Sequence, residues 1–198
     1  MFKLGITGGI GSGKTSVCRV FEVLNIPVFS ADRVAREITE TDEAIINGIN
    51  SIAGRNLYLS GGLDRPALSS LIFNDQSLLE KVNSLVHPAV FKYFEKWVSE
   101  QTSSYVIMEA AILFESGASK LVDRVATIVA PVEERIERII LRNRLSREQI
   151  EERMRNQIDD LTRSKQSDYV INNSENDMII PVILTIHDDI LKFLKTVI

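Results

Sequence analysis

Cysteine occurs once in the 198 residues, at position 18, so no intrachain disulfide can form and no metal cluster can be built on thiolates. A lone thiol fits a reducing compartment. Glycine and proline together number only 15, too few for collagenous or linker-like stretches. Basic charge is not in excess either: 23 Lys and Arg against 27 Asp and Glu leave a net charge of −4. That balance argues against a general binder of nucleic acid or anionic membrane, since both are held by basic fields, and any anionic ligand must be captured locally. The longest apolar runs, VATIVAPV and MIIPVILTI, fall well short of the roughly 20 residues a membrane helix needs. The opening MFKLGITGG lacks the basic region, apolar core and cleavage site of a signal peptide. What is there, 44% hydrophobic and 25% charged residues, describes a globular chain expected to be soluble and cytoplasmic, with no nucleic acid, membrane or obligate protein partner.

No repeat and no Ser/Gly/Pro-rich linker divides the chain, so a single domain of ordinary size is expected. Short apolar or β-branched runs occur at Phe2 to Thr7, Pro27 to Ser30, Tyr105 to Met108, Arg124 to Ala130 and Asp168 to Ile171, separated by longer helix-compatible segments. Near-continuous apolar strands alternating with helices predict an α/β fold in three layers around a five-stranded parallel sheet. The core is expected at about 1–32, 103–132 and 166–198, with a helical insertion at about 33–102 and a second helical excursion at about 133–165. Asp64 is placed to cap a helix with Pro66 in its first turn. The string Leu59-Ser60-Gly61-Gly62 matches the start of an ABC-type ATPase signature but follows Thr15 too soon for the subdomain those proteins insert. It reads as a loop with a glycine turn. At the C-terminal end, Ile183, Ile186, Ile190, Leu194 and Val197 form one helical stripe expected to pack on the sheet. Cys18 is expected to pack there too, from the helix after the first strand.

The chemistry is concentrated in Gly8-Gly9-Ile10-Gly11-Ser12-Gly13-Lys14-Thr15, which satisfies G-x-x-x-x-G-K-[ST] directly after an apolar strand and before a helix-compatible run. Glycines let the backbone curl until its N–H groups converge on phosphate oxygens, and the following helix adds its positive end. Gly9, Ile10, Gly11, Ser12, Gly13, Lys14, Thr15 and Ser16 are the expected ATP-binding residues, with Lys14 on the β and γ phosphates and the Thr15 hydroxyl on Mg²⁺. The loop names a nucleotide, not a reaction. The Asp-x-x-Gly and Asn-Lys-x-Asp strings of a regulatory GTPase occur nowhere in the chain.

Taken in order, GITGGIGSGKT, SADRVARE, GGLDRPAL, LVHPAV, ILFESG, APVEERIERIILRN and SDYVINN resemble the dephospho-CoA kinase family over essentially the whole chain. The resemblance implies a P-loop kinase core with a helical substrate-binding insertion and a lid. It also implies Mg²⁺- and ATP-dependent phosphorylation of the ribose 3′-hydroxyl of dephospho-CoA, the last step of coenzyme A biosynthesis. Asp32 falls on the family's acidic position after the second strand, where a carboxylate can orient the acceptor hydroxyl and a Mg²⁺-bound water; a helix N-cap is the plain alternative. Arg65 is the candidate for an acceptor phosphate, against a solvated helix-start arginine. His87, in the family's His-Pro, is assigned to the acceptor side or to structure, and Asn172 to the ATP site. Arg135, Arg138 and Arg142 recur at i, i+3, i+7, a basic stripe able to close over a triphosphate. Arg138 and Arg142 are the expected phosphate-reaching members, Arg142 as a catalytic residue beside Lys14 and Asp32. Arg135 is read as part of a solvated charged face in which Glu134 pairs with Arg138. The family usually has Gln at Arg135, Ala at Ser167 and Pro at Ala111. For Glu109, a water-mediated Mg²⁺ contact and a strand-end salt bridge both stay open. Another small-molecule P-loop kinase, such as a nucleoside monophosphate kinase, and a non-catalytic nucleotide switch are the rival functions.

Overall fold

The apolar runs form strands and the segments between them form helices. The strands are β1 (Phe2–Gly8), β2 (Val28–Ser30), β3 (Tyr58–Leu59), β4 (Gly62–Leu63), β5 (Tyr105–Glu109), β6 (Arg124–Val129) and β7 (Tyr169–Asn172). The helices are α1 (Lys14–Val23), α2 (Ala31–Thr41), α3 (Glu43–Ala53), α4 (Arg65–Asn74), α5 (Gln76–Ser99), α6 (Val132–Asn143), α7 (Arg147–Arg155), α8 (Asp160–Lys165) and α9 (Ile179–Val197). The computed structural model describes residues 1–143 and 145–197. Two compact units emerge, one made of Met1–Ser30 with Val98–Ile198, the other of Ala31–Trp97.

The first unit holds a five-stranded sheet in the order β2-β5-β1-β6-β7, every neighbouring pair parallel. This is the predicted sheet. Alternation along β1 decides what covers each face. Phe2, Leu4 and Ile6 join Val17, Cys18 and Phe21 of α1 and Ile183, Ile186 and Ile190 of α9 in one buried cluster. Each such side chain contributes about 1.5–3 kcal/mol of burial. The stripe on α9 thus packs as its spacing predicts, with Leu194 partly buried beside it; the Val197 side chain lies outside the described residues. On the other face a Cβ at Gly5 would come within 2.8 Å of the Leu113 side chain, so the glycine admits the segment between β5 and β6 close to the central strand. Burial drives the Cys18 thiol pKa far up, with the Glu109 and Glu22 carboxylates adding to the shift, so this cysteine is a packing residue.

After β6, α6 and α7 build a smaller cluster from Ile136, Ile139 and Ile150. Ser146 and Gln149 form a reciprocal capping box at the start of α7. Arg147 grips both oxygens of Glu133, at 2.9 and 2.6 Å, stapling α7 to the start of α6.

In the second unit, Asp42 caps α3 by accepting from the N–H groups of Ala44 and Ile45, and left-handed Gly54 ends that helix. Asp64 caps α4 as expected, accepting from Ala67 N at 3.0 Å, with a proline in the first turn. Val82, Val86, Val90 and Phe94 form the buried stripe of α5. The segment read as a loop with a glycine turn at 59–62 does turn at Ser60 and Gly61, but its flanks are strands of a hairpin, in which Tyr58 pairs with Leu63 and Leu59 with Gly62. Its register is held from outside, because Leu63 N donates to Glu40 Oε2 at 3.0 Å and Tyr58 OH donates to Thr39 O at 2.7 Å.

Candidate active site

β1, the central strand, delivers its C-terminal end to the glycine-rich loop, and α1 begins at Lys14 with Gly13 in the N-cap position. Gly11 and Gly13 adopt φ of 80° and 97°, a left-handed backbone that L side chains rarely accept. Lys14 Nζ donates to Gly8 O at 2.8 Å, which sets the amine at the loop's rim. Among the described residues no acceptor meets the N–H of Gly11 or Gly13, and the buried Ser12 Oγ has no partner. Thr15 and Ser16 are exposed on the first turn of α1. Convergent donors, an ammonium group and the positive end of a helix form an anion cradle.

Side chains from after β6 brace this cradle. Asn173 Nδ2 donates to Ser12 O at 2.7 Å. Gln157 Oε1 accepts from Ile10 N at 2.9 Å, and Arg135 Nε donates to Ile10 O at 2.9 Å. Ile10, expected among the ATP-binding donors, therefore has its N–H committed to Gln157. Arg135 is not on a solvated face: its side chain is 6% exposed and its Nη1 donates to Asp160 Oδ2 at 2.7 Å. The predicted Glu134–Arg138 pair does form, at 2.8 Å. Arg138 Nη2 also donates to Asn173 O at 3.0 Å, while its Nη1 is buried with no partner among the described residues. The basic stripe is thus split, with Arg135 behind the loop and Arg138 beside Asn173. Arg142 is exposed in the last turn of α6, where a cation complements the helix dipole. Next to Arg138's partner, a cavity of about 300 Å³ is lined by Val129, Ala130, Pro131, Asn172, Ser174 and Asp177.

A strand, a glycine loop with this geometry and a helix belong to many nucleotide enzymes, so relatives decide among them. The family model for dephospho-CoA kinase matches residues 2–178. The chain is 36% identical over 183 residues to the dephospho-CoA kinase of Bacteroides fragilis, covering 92% of this chain and 89% of that protein.

The chain belongs to the dephospho-CoA kinase family.

Solved structures agree on the fold. A protein from Thermus thermophilus superposes with a TM-score of 0.80 at 30% identity, over 99% of this chain and 95% of that one. The dephospho-CoA kinase from Campylobacter jejuni gives 0.66 at 24% identity, over 96% and 97%.

The remaining predicted residues lie in the second unit. Asp32 is exposed inside the first turn of α2, which starts one residue earlier, so it is not the N-cap considered from sequence. Arg65 is exposed at the start of α4, as a solvated arginine would be, and its Nη2 is also anchored, donating to Glu40 Oε1 at 2.7 Å and to Arg36 O at 3.3 Å. The Leu63 N–H and, after it, the Arg65 guanidinium hold the Glu40 carboxyl below its ordinary range. His87 is half-buried and stacks on Phe91 one turn along α5, and its burial holds the imidazole pKa below the usual value. In the first unit Glu109 accepts from Ser30 Oγ at 2.7 Å, between paired strand ends. Gln157, Asn173 and Asp160 were not legible as site residues. Asn173 had a signal, as the second Asn at the C-terminal end of β7; Gln157 and Asp160, outside any motif, had none.

Among the described residues no group of three His, Cys, Asp or Glu side chains is built to hold a metal. What the chain offers instead is the exposed Thr15 hydroxyl beside the cradle. That donor set suits a divalent ion that keeps its waters and takes most of its ligands from a triphosphate.

Proposed function

We propose that the chain transfers the γ-phosphoryl group of ATP to the ribose 3′-hydroxyl of dephospho-CoA, giving coenzyme A and ADP, with Mg²⁺ as the divalent ion. The observation that carries it is the cradle in a chain of this family: two left-handed glycines, Lys14 at the rim and unpartnered N–H groups ahead of α1. In this reading the N–H groups of Gly11, Gly13, Lys14 and Thr15 receive the phosphates, and Ser16, whose N–H donates to Gly13 O at 3.0 Å, offers its hydroxyl. Lys14 and Arg142 meet the charge that spreads over the transferred group. Arg138 brings its unpartnered Nη1 to a nucleotide oxygen. The cavity at Pro131 and Asn172 takes the base.

Thr15 and Asp32 would hold Mg²⁺, which when bound screens the oxygens of the transferring phosphate. Asp32 also receives the acceptor's proton as the new P–O bond forms; a ribose hydroxyl is a weak nucleophile and needs both aim and a proton sink. Arg65, its Nη2 anchored by Glu40, keeps Nε and Nη1 to offer an acceptor phosphate. His87 is assigned to the same acceptor side.

The test is an acceptor screen: ATP and Mg²⁺ with dephospho-CoA, nucleoside monophosphates or shikimate, following ADP release and product mass. Dephospho-CoA alone should give a product heavier by one phosphoryl group. Preferential phosphorylation of a nucleoside monophosphate would overturn the acceptor assignment, and ATP binding with no acceptor stimulating ADP release would point to a switch.

A further inference from the structure

One residue of the glycine loop is gripped on every side. The Ile10 N–H donates to Gln157 Oε1 at 2.9 Å, its carbonyl accepts from Arg135 Nε at 2.9 Å, and its side chain packs on the Ile136, Ile139 and Ile150 cluster of α6 and α7. Neither anchoring side chain belongs to the loop. A run with glycine at 8, 9, 11 and 13 has much conformational freedom to lose when a ligand orders it. Fixing one peptide unit in its middle removes part of that loss before any ligand arrives.

Arg135 is fixed in turn. Asp160 takes its Nη1 on Oδ2 at 2.7 Å and Arg163 Nη1 on Oδ1 at 2.6 Å, while Arg163, whose side chain is 1% exposed, also donates to Ile158 O at 2.8 Å. Two guanidinium groups share one carboxylate, so one positive charge is left in excess behind the loop. The loop is shaped around it: a Cβ at Gly9 would lie 2.1 Å from Arg135 Nη2, and one at Gly11 would lie 2.7 Å from the Arg135 carbonyl. Two glycines that a motif reading assigns to phosphate binding are thus also needed to admit Arg135.

We propose that Gln157 and Arg135 are positioning residues for the nucleotide: by clamping both polar ends of Ile10 they hold the following N–H groups in phosphate-receiving order, and Arg135 adds its charge. The proposal rests on the loop being the ATP site. Neither side chain needs to touch ATP, and the affinity of the loop is set from the α6 to α8 segment.

Gln157 is the side chain to change, because its removal leaves the buried Arg135, Asp160 and Arg163 group intact. Titration calorimetry with a non-hydrolysable ATP analogue and Mg²⁺ gives Kd, steady-state assays give both KM values and kcat, and urea unfolding gives stability. Gln157→Ala should raise the analogue Kd and the ATP KM by about tenfold, the size of one hydrogen bond. The dephospho-CoA KM should stay near wild type, and any fall in the urea midpoint should be too small to account for the lost affinity. Gln157→Glu keeps an acceptor for Ile10 N–H but adds a negative charge, so its Kd should be raised less, and its ratio to wild type should shrink as salt is added. An unchanged Kd in Gln157→Ala overturns the clamp, as does a Kd that rises only in step with a fallen urea midpoint. If the wild-type chain takes up no analogue, the ATP reading falls first and the clamp with it.

Discussion

Lys14 and Arg142 occupy opposite kinds of place, and their substitutions should separate accordingly. Lys14 sets its amine on the Gly8 carbonyl at the rim of the loop, so Lys14→Ala should leave folding intact while turnover drops by about 10²–10³, the usual loss when one donor to a developing charge is removed. Turnover within a few-fold of wild type, with an unchanged circular dichroism melt, would remove the cradle from catalysis. Arg142 stands exposed at the end of α6, so Arg142→Ala should lower kcat with little change in dephospho-CoA affinity. A loss confined to the acceptor KM would detach it from the phosphates. For Asp32→Asn the expected cost in single-turnover transfer is on the order of 10²–10⁴, with analogue binding nearly unchanged. If binding collapses with the rate, the carboxylate belongs to the metal side. At this scale the sequence showed donors well and supports badly. Lys14 and Thr15 are named by a motif, whereas the burial of Arg135 depends on Asp160, 25 positions further on, and no local pattern carries that pairing.

Helices and strands were legible because each answers to a local rule. The strand at Phe2 announces itself by burial on both faces, and α4 by a capping Asp with a proline two residues on. Asp64→Ala should cost about 1 kcal/mol in urea unfolding, the ordinary worth of such a cap; no change would mean that Ala67 N finds another acceptor. The hairpin at 58–63 escaped because its strands are two residues long and the hydrogen bond that sets its register comes from Glu40, outside the segment. Gly13 joins both kinds of information. Gly13→Ala meets a left-handed φ of 97° and an Asn173 Nδ2 only 2.1 Å from the new Cβ, so it should weaken nucleotide binding more than tenfold and lower stability by about 1–2 kcal/mol. Binding equal to wild type would show that the loop tolerates a different entry into α1.

Across the whole molecule, acid should act first through His87. Burial lowers its pKa in the folded state, so between that value and the ordinary one near 6.5 the unfolded chain holds more protons and stability rises with pH. Taking the protein from pH 7.5 to 5.5 should therefore destabilise it, and His87→Gln should flatten that slope in urea titrations at the two pH values; equal slopes would show that the ring is free to charge. The carboxylate of Glu40 acts lower, its contribution being lost only as pH falls through its depressed folded value. The topology carries a consequence for how the molecule is made. β1 precedes both of its sheet neighbours, which begin at Tyr105 and Arg124, and the whole Ala31–Trp97 unit lies between. During synthesis β1 emerges before both of them and must wait, unpaired, while the intervening helices leave the ribosome and find their own partners. The ribosome thus makes the glycine-rich loop early and can complete the sheet beneath it only late, so an arrested chain ending near Trp97 should expose β1 to chaperones and proteases that the finished protein never meets.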